Sequence, residues 1–171
     1  MRVLELLPTT PLNTPCALTI GTFDGVHRGH ALLVEKLREE AVRRELPTAV
    51  LTFQDMPYCY FKPDECARLL TLPSEKIAAF SALNIDNLLV APFNRAIAET
   101  TAADFAQRVL VEKLRVKLLV IGPDFALGKG RSGNVEALQK LGAQLGFEVV
   151  VLRDKLQDEG AISSTDRKSV V

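Results

Sequence analysis

The chain has only two histidines, His27 and His30, and both lie in the decapeptide GTFDGVHRGH, residues 21–30. Three residues apart, they share one face of a helical turn. Imidazole can ligate a metal, move a proton or donate to a phosphate oxygen. A metal pair is short of ligands here. Tetrahedral zinc takes four, and beyond Asp24 the neighbourhood offers no Cys and no further His. A nucleophile–base pair would need a Ser or Cys in a nucleophile elbow beside the ring. Imidazoles aimed at phosphate need no other ligand. Gly21 and Gly25 permit a tight turn and close backbone approach. Gly29 stands where a helix would begin, so free N–H groups at a positive dipole end would face the same anion. Capping and packing are the other use of the two rings. Asp24 fits an Asx turn as well as it fits a contact to a histidine, a substrate or a metal.

Two later segments could join this chemistry. GPDFALGKGRSGN, residues 122–134, combines Gly128, Gly130 and Gly133 with Lys129 and Arg131, giving freedom and local charge for phosphates. It lacks the G-x-x-x-x-G-K-[ST] spacing of a P-loop. A flexible surface loop would have the same composition. ISSTDRK, residues 162–168, sets Ser163, Ser164 and Thr165 ahead of a final helix. Hydroxyls at a helix N-terminus cradle an anion, and a cap without ligand has the same sequence. Phe53, Tyr58, Tyr60 and Phe61 could form a stacking surface or belong to the core.

These segments must be held by elements, and the elements alternate. Ala17–Ile20 is a strand-length apolar burst. From Gly29 to Leu46, Leu33, Leu37 and Ala41 recur at helical spacing. Residues 48–53 form a second strand, and residues 54–70, with two prolines, are irregular. Thr71 is placed to cap a helix reaching about Leu83. Asn87–Ala91 is a third strand. Thr101 and Asp104 read as a capping box opening a helix to about Leu114. Lys117–Ile121 is a fourth strand, Asn134 caps a helix to about Leu145, and Glu148–Leu152 is a fifth strand. This alternation predicts an α/β fold: a doubly wound, five-stranded parallel sheet, Rossmann-like, covered on both faces. In such sheets ligands bind beyond the carboxyl ends of the strands, where the strand order reverses. The first and fourth strands should be neighbours there.

Composition sets the bounds. The 171 residues suit one domain. Twenty-one basic residues balance 21 acidic ones, for a formal net charge of zero, so no global pull toward nucleic acid or an anionic membrane is expected. Cys16, Cys59 and Cys66 are odd in number without C-x-x-C spacing, which predicts free thiols and a cytoplasmic address. No run approaches a spanning helix.

The quoted strings together resemble one family. H-x-G-H after a strand resembles the signature of the HUP-type nucleotidyltransferases. GTFDGVHRGH is similar to the adenylyltransferase module of bacterial FAD synthetase, the bifunctional riboflavin kinase/FMN adenylyltransferase. LLTLPSEKIAAF (69–80), APFNRAIAETTAADF (91–105), VIGPDFALGKGRSGN and AISST (161–165) resemble its later segments, in order, from about residue 17 to residue 168. The resemblance implies transfer of AMP from ATP to FMN, giving FAD and pyrophosphate, with Mg2+ on the ATP phosphates. It implies His27 and His30 as the catalytic pair. Gly21, Thr22, Phe23, Asp24, Gly25, Gly29, Asp124, Ser163, Ser164, Thr165, Arg167 and Lys168 would bind ATP, Asp124 also standing near the metal. Phe53, Tyr58 and Phe61 would face the flavin. The sequence departs from the pattern at three places. Lys168 stands at the usual arginine with Arg167 one residue early, Ala126 replaces a common arginine, and FQDMPYCY replaces Phe-x-Pro-His-Pro. These departures leave two other readings open: a different phosphorylated acceptor, or a nucleotide-binding module without turnover. The expectation for the domains is one nucleotidyltransferase unit over 1–171, without a riboflavin kinase barrel, with FMN supplied by a separate kinase.

Overall fold

The computed structural model describes residues 1–4, 12–23, 28–54 and 73–152. Their order is β1 (Arg2–Leu4), β2 (Cys16–Ile20), α1 (Arg28–Arg43), β3 (Thr48–Phe53), α2 (Pro73–Ala82), β4 (Asn87–Ala91), α3 (Arg95–Ala98) and α4 (Ala102–Phe105). The last of these runs on into a π-helical stretch (Ala106–Lys113). Then come β5 (Val116–Ile121), a two-stranded ribbon of β6 (Ala126–Leu127) and β7 (Gly133–Asn134), α5 (Val135–Leu145) and β8 (Glu148–Val151).

The main sheet has six strands in the order β1-β4-β3-β2-β5-β8, and every pair is parallel. The five expected strands are all present. β2, β3 and β4 wind one way, and β5 and β8 wind the other, so the order reverses between β2 and β5, as expected. The sixth strand, β1, pairs Arg2 with Asn87 and Leu4 with Leu89 at the β4 edge. Three residues carry too little periodicity to be read as a strand from sequence alone.

Alternate strand residues serve opposite layers, because successive side chains point to opposite faces. Leu18, Ile20, Leu51, Leu89, Leu119 and Ile121 join Phe105, Leu110 and Leu138 in one core. Ala17, Val50, Leu88, Leu118 and Val120 join Leu33, Val34 and Leu37 of α1 and Phe80 of α2 in the other. The central strands β2 to β5 thus carry apolar residues to both faces, which is why the bursts read as continuous.

Helix ends follow their capping residues. Asn134 Oδ1 accepts from Ala137 N at 2.9 Å, as expected, and Gly146, at φ +93°, closes α5. Thr101 Oγ1 accepts from Asp104 N at 3.1 Å. The helix it opens is not α-helical to its end. From Ala106 the pitch widens, and Leu114 N–H bonds back to Val109 O. The expected Thr71 cap lies outside the described residues. Cys16 is free and buried, its thiol donating to Leu114 O, and burial pushes its pKa up to about 12. Cys59 and Cys66 lie outside the described residues. No helix among the described residues is long and apolar enough to cross a membrane.

Candidate nucleotide site

The carboxyl end of β2 runs into the first segment of interest. Gly21 N–H bonds to Leu51 O and keeps the chain on β3 for one more residue. Phe23 then turns back at φ +48°, a conformation non-glycine residues rarely hold. Such strain persists only where surroundings enforce it. Here the ring is 2% exposed. It packs edge to face against His30, centroids 4.9 Å apart, and against Phe80 at 5.2 Å. Gly21 is required by the same turn. A Cβ there would lie 2.9 Å from the Phe23 ring. Phe23 therefore anchors the turn through its side chain and leaves only its backbone for a ligand.

His30 sits in the first turn of α1, buried, with Phe23 against its ring. Gly29 is buried beside it. Asp24, Gly25 and His27 lie outside the described residues, as do Tyr58, Phe61, Ser163, Ser164, Thr165, Arg167 and Lys168. The described part of the first segment is Gly21, Thr22, Phe23, Arg28, Gly29 and His30.

Beneath this turn is a polar arrangement that reading the sequence missed. Lys76, in the first turn of α2, is only 6% exposed. Its Nζ donates to Thr22 O at 2.8 Å and to Phe53 O at 3.2 Å. Thr52 Oγ1 donates to the same Thr22 O at 2.9 Å. One signal was available. Lys76 stands four residues before Phe80, on the stripe that α2 buries.

The second segment flanks the first across the switch point, since β2 and β5 pair directly. It is built as a ribbon rather than a loose loop. Ala126 pairs with Asn134 and Leu127 with Gly133. Lys129 N–H bonds to Thr100 O at 2.8 Å. At Gly128, φ +83°, a Cβ would lie 2.6 Å from Ala102 N, and at Gly133 it would lie 2.8 Å from the Ala102 Cβ. The ribbon is seated on the start of α4 by these approaches. Lys129 and Arg131 stay exposed, with Arg131 donating to Asp124 O at 3.3 Å. Asp124 is exposed just beyond β5, and Ala126 is half-buried in β6. Phe53 is buried in the core, edge to face with half-buried Phe93 at 5.4 Å.

A doubly wound sheet with a histidine-bearing helix start beside a basic, glycine-seated ribbon at its switch point defines a Rossmann-like, nucleotidyltransferase-type fold. The family model for FAD synthetase matches residues 9–166, and the chain belongs to that family. It is similar to the bifunctional riboflavin kinase/FMN adenylyltransferase of Escherichia coli K12, with 41% identity over 150 residues, 88% of this chain and 48% of the relative. The Haemophilus influenzae protein of the same description is 43% identical over 151 residues, 88% of this chain and 49% of the relative. That of Pseudomonas fluorescens is 35% identical over 161 residues, 94% of this chain and 51% of the relative. The chain thus spans about half the length of the curated relatives it matches. A Streptococcus pneumoniae structure described as a macrolide-efflux protein shares the fold. Its TM-score is 0.76 at 22% identity, over 96% of this chain and 55% of that one. At that identity the likeness speaks for the fold alone.

Proposed function

We propose that the chain is an FMN adenylyltransferase of the cytoplasm, transferring AMP from ATP to FMN to give FAD and pyrophosphate. The observation that carries this reading is the first turn of α1. It leaves β2 beside β5 and bears His30 at the strand ends where such folds bind nucleotides. Membership of the FAD synthetase family and the activity named for the bifunctional relatives support the choice of acceptor.

In the proposed reaction an FMN phosphate oxygen attacks the α-phosphorus of ATP. The new P–O bond forms as the bond to the α–β bridging oxygen breaks, and pyrophosphate leaves with that electron pair. Negative charge grows on the nonbridging and leaving oxygens, so the protein's task is to position and neutralise. His27 and His30 are assigned to those oxygens. Gly21, its own N–H held by Leu51 O, would shape the turn, and backbone N–H groups from Phe23 to Gly29 would meet the phosphates. Asp124, Ser163, Ser164, Thr165, Arg167 and Lys168 are assigned to ATP. Tyr58 and Phe61 are assigned to the flavin, and Phe53, being buried, would back that surface rather than form it. Among the described residues no group of three or more His, Cys, Asp and Glu side chains could cage a metal ion. Magnesium would enter on the triphosphate, with Asp124 assigned as a single carboxylate near it. The ion would supply charge neutralisation. FMN would come from a riboflavin kinase.

Incubating the 171-residue chain with FMN, ATP and magnesium should yield FAD and pyrophosphate, detected by chromatography and mass spectrometry. Riboflavin in place of FMN should yield neither FMN nor FAD. ATP binding without FAD formation would overturn the proposed acceptor.

A further inference from the structure

We propose that Lys76, seconded by Thr52, is a positioning residue that sets the Thr22–Phe23 peptide so that the Phe23 N–H faces the nucleotide. The inference rests on the adenylyl-transfer reading for the identity of the ligand, not for the geometry.

Two features oppose a cation at this position. Burial penalises a charge, and the first turn of a helix is the positive end of its dipole. A methionine of similar length would fill the space without either cost. The ammonium group is retained against them and donates to two backbone carbonyls, those of Thr22 and Phe53, which end β2 and β3. The Thr52 hydroxyl gives the Thr22 carbonyl a second donor. A carbonyl taking two donors, one of them charged, is fixed in direction.

That direction matters because of the next atom along the chain. The described peptides include no cis bond. In a trans peptide the N–H lies opposite the C=O. With Thr22 O held inward by Lys76 and Thr52, the Phe23 N–H is turned the other way, off the strand ends. The turn at Phe23 (φ +48°) and the packing of its ring on His30 start from that fixed plane. Lys76 thus controls a backbone donor and the seat of a histidine without touching the substrate.

Lys76→Met keeps the length and removes all three donors. Thr52→Val removes the second donor to the same carbonyl and no charge. Turnover of FMN and ATP should fall about 10²-fold in Lys76→Met and about fivefold in Thr52→Val, with the KM for ATP changing much less. The double variant should lose less than the product of the two, because both act on one carbonyl. The independent readout is the Phe23 amide resonance. Adding a nonhydrolysable ATP analogue should shift it in the wild-type chain, and in Lys76→Met the shift should be lost although the fold persists by circular dichroism. If the Phe23 amide is unmoved by the analogue, or moves equally in Lys76→Met, the proposal fails. If Lys76→Met is poorly folded, Thr52→Val carries the same test. A wild-type chain that makes no FAD, yet shows the amide shift and its loss in Lys76→Met, would refute the acceptor and uphold the positioning role.

Discussion

At the amino ends of the strands, Arg44 lies between Glu40 and Glu148, 2.6 Å from each. Asp86 meanwhile accepts from the N–H and the hydroxyl of Thr48. At the carboxyl ends the charges are used otherwise. Lys76 donates to two backbone carbonyls, and Lys129 and Arg131 have no acid partner among the described residues. An open groove does occur at the amino end, lined by Arg44, Leu46, Lys117 and Phe147, but its arginine is already neutralised by two carboxylates. The difference separates structure from function within one sheet. Charges that satisfy each other hold the layers together, the buried Lys76 orders backbone, and the exposed Lys129 and Arg131 are available to an anion.

If this division holds, substitutions of the polar side chains at the carboxyl end should change chemistry more than stability. The largest effect is expected at His30. Removing one preorganised donor to a developing oxyanion commonly costs about 3 kcal/mol, or 10²–10³-fold in rate. His30→Ala should lower FAD formation by that order while ATP affinity changes far less, measured by steady-state kinetics and calorimetry. His27→Ala should behave alike. Near-normal turnover would remove the ring from the mechanism. Activity lost in step with the circular dichroism signal would assign it to packing against Phe23.

The ribbon provides a test internal to the carboxyl end. Gly128 holds φ +83° and ψ 168°, a region nearly confined to glycine, and a Cβ there would meet Ala102 N at 2.6 Å. Gly130 holds φ +65° with open space around it. Gly128→Ala should therefore cost roughly 2–3 kcal/mol of stability, combining strain and overpacking. Gly130→Ala should cost only about 1 kcal/mol, for the left-handed backbone alone. Thermal denaturation of the two variants separates a seated ribbon, for which the costs differ, from a free loop, for which they would be equal.

This pair also shows where the sequence was legible. The three glycines, two cations and strand-following position of residues 122–134 were plain, because composition and periodicity are local properties. The seat on Ala102 was not, because it depends on how α4 approaches the ribbon. The same holds at the first segment. His30 and Gly21 stood out by type and spacing. Lys76 and Thr52 did not, since a lysine in a helix and a threonine in a strand read as ordinary until tertiary packing buries them. Both layers of the core were readable from apolar strands and helical stripes. β1 was too short to show a period.

The amino end should give the opposite response. Glu40 is 6% exposed. The Arg44 hydrogen bond, joined by Lys36, holds its carboxyl below the usual carboxylate range, against burial. A group held lower in the folded state stabilises above its unfolded pKa, near 4.5 here, and loses that contribution as pH falls through the folded value. Glu40→Gln should cost about 1–2 kcal/mol at neutral pH and flatten the decline in stability below about pH 4.5. FAD formation by the folded variant should be unchanged. A fall in turnover without a fall in stability would break the proposed division between the two ends.

The smallest effect is expected midway between them. The Thr19 hydroxyl is fully buried in β2 and makes no hydrogen bond. By strand alternation it shares the Ala17 face, the layer that α1 covers with Leu33, Val34 and Leu37. A hydroxyl in such a layer forfeits its bonds to water and gains none. Thr19→Val keeps the branched shape and exchanges the hydroxyl for a methyl, so it should raise stability by about 1 kcal/mol. In a chain of this size that is a rise of about 2–4 °C in Tm. Its effect on turnover decides which end Thr19 serves. Unchanged turnover with the higher Tm makes the hydroxyl a tolerated packing defect, belonging to the structural part of the strand. Lower turnover with the higher Tm would mean that stability is given up in β2, two residues before Gly21, to keep the turn that carries Phe23 in its working conformation. The carboxyl-end arrangement would then reach deeper into the sheet than Lys76 and Thr52.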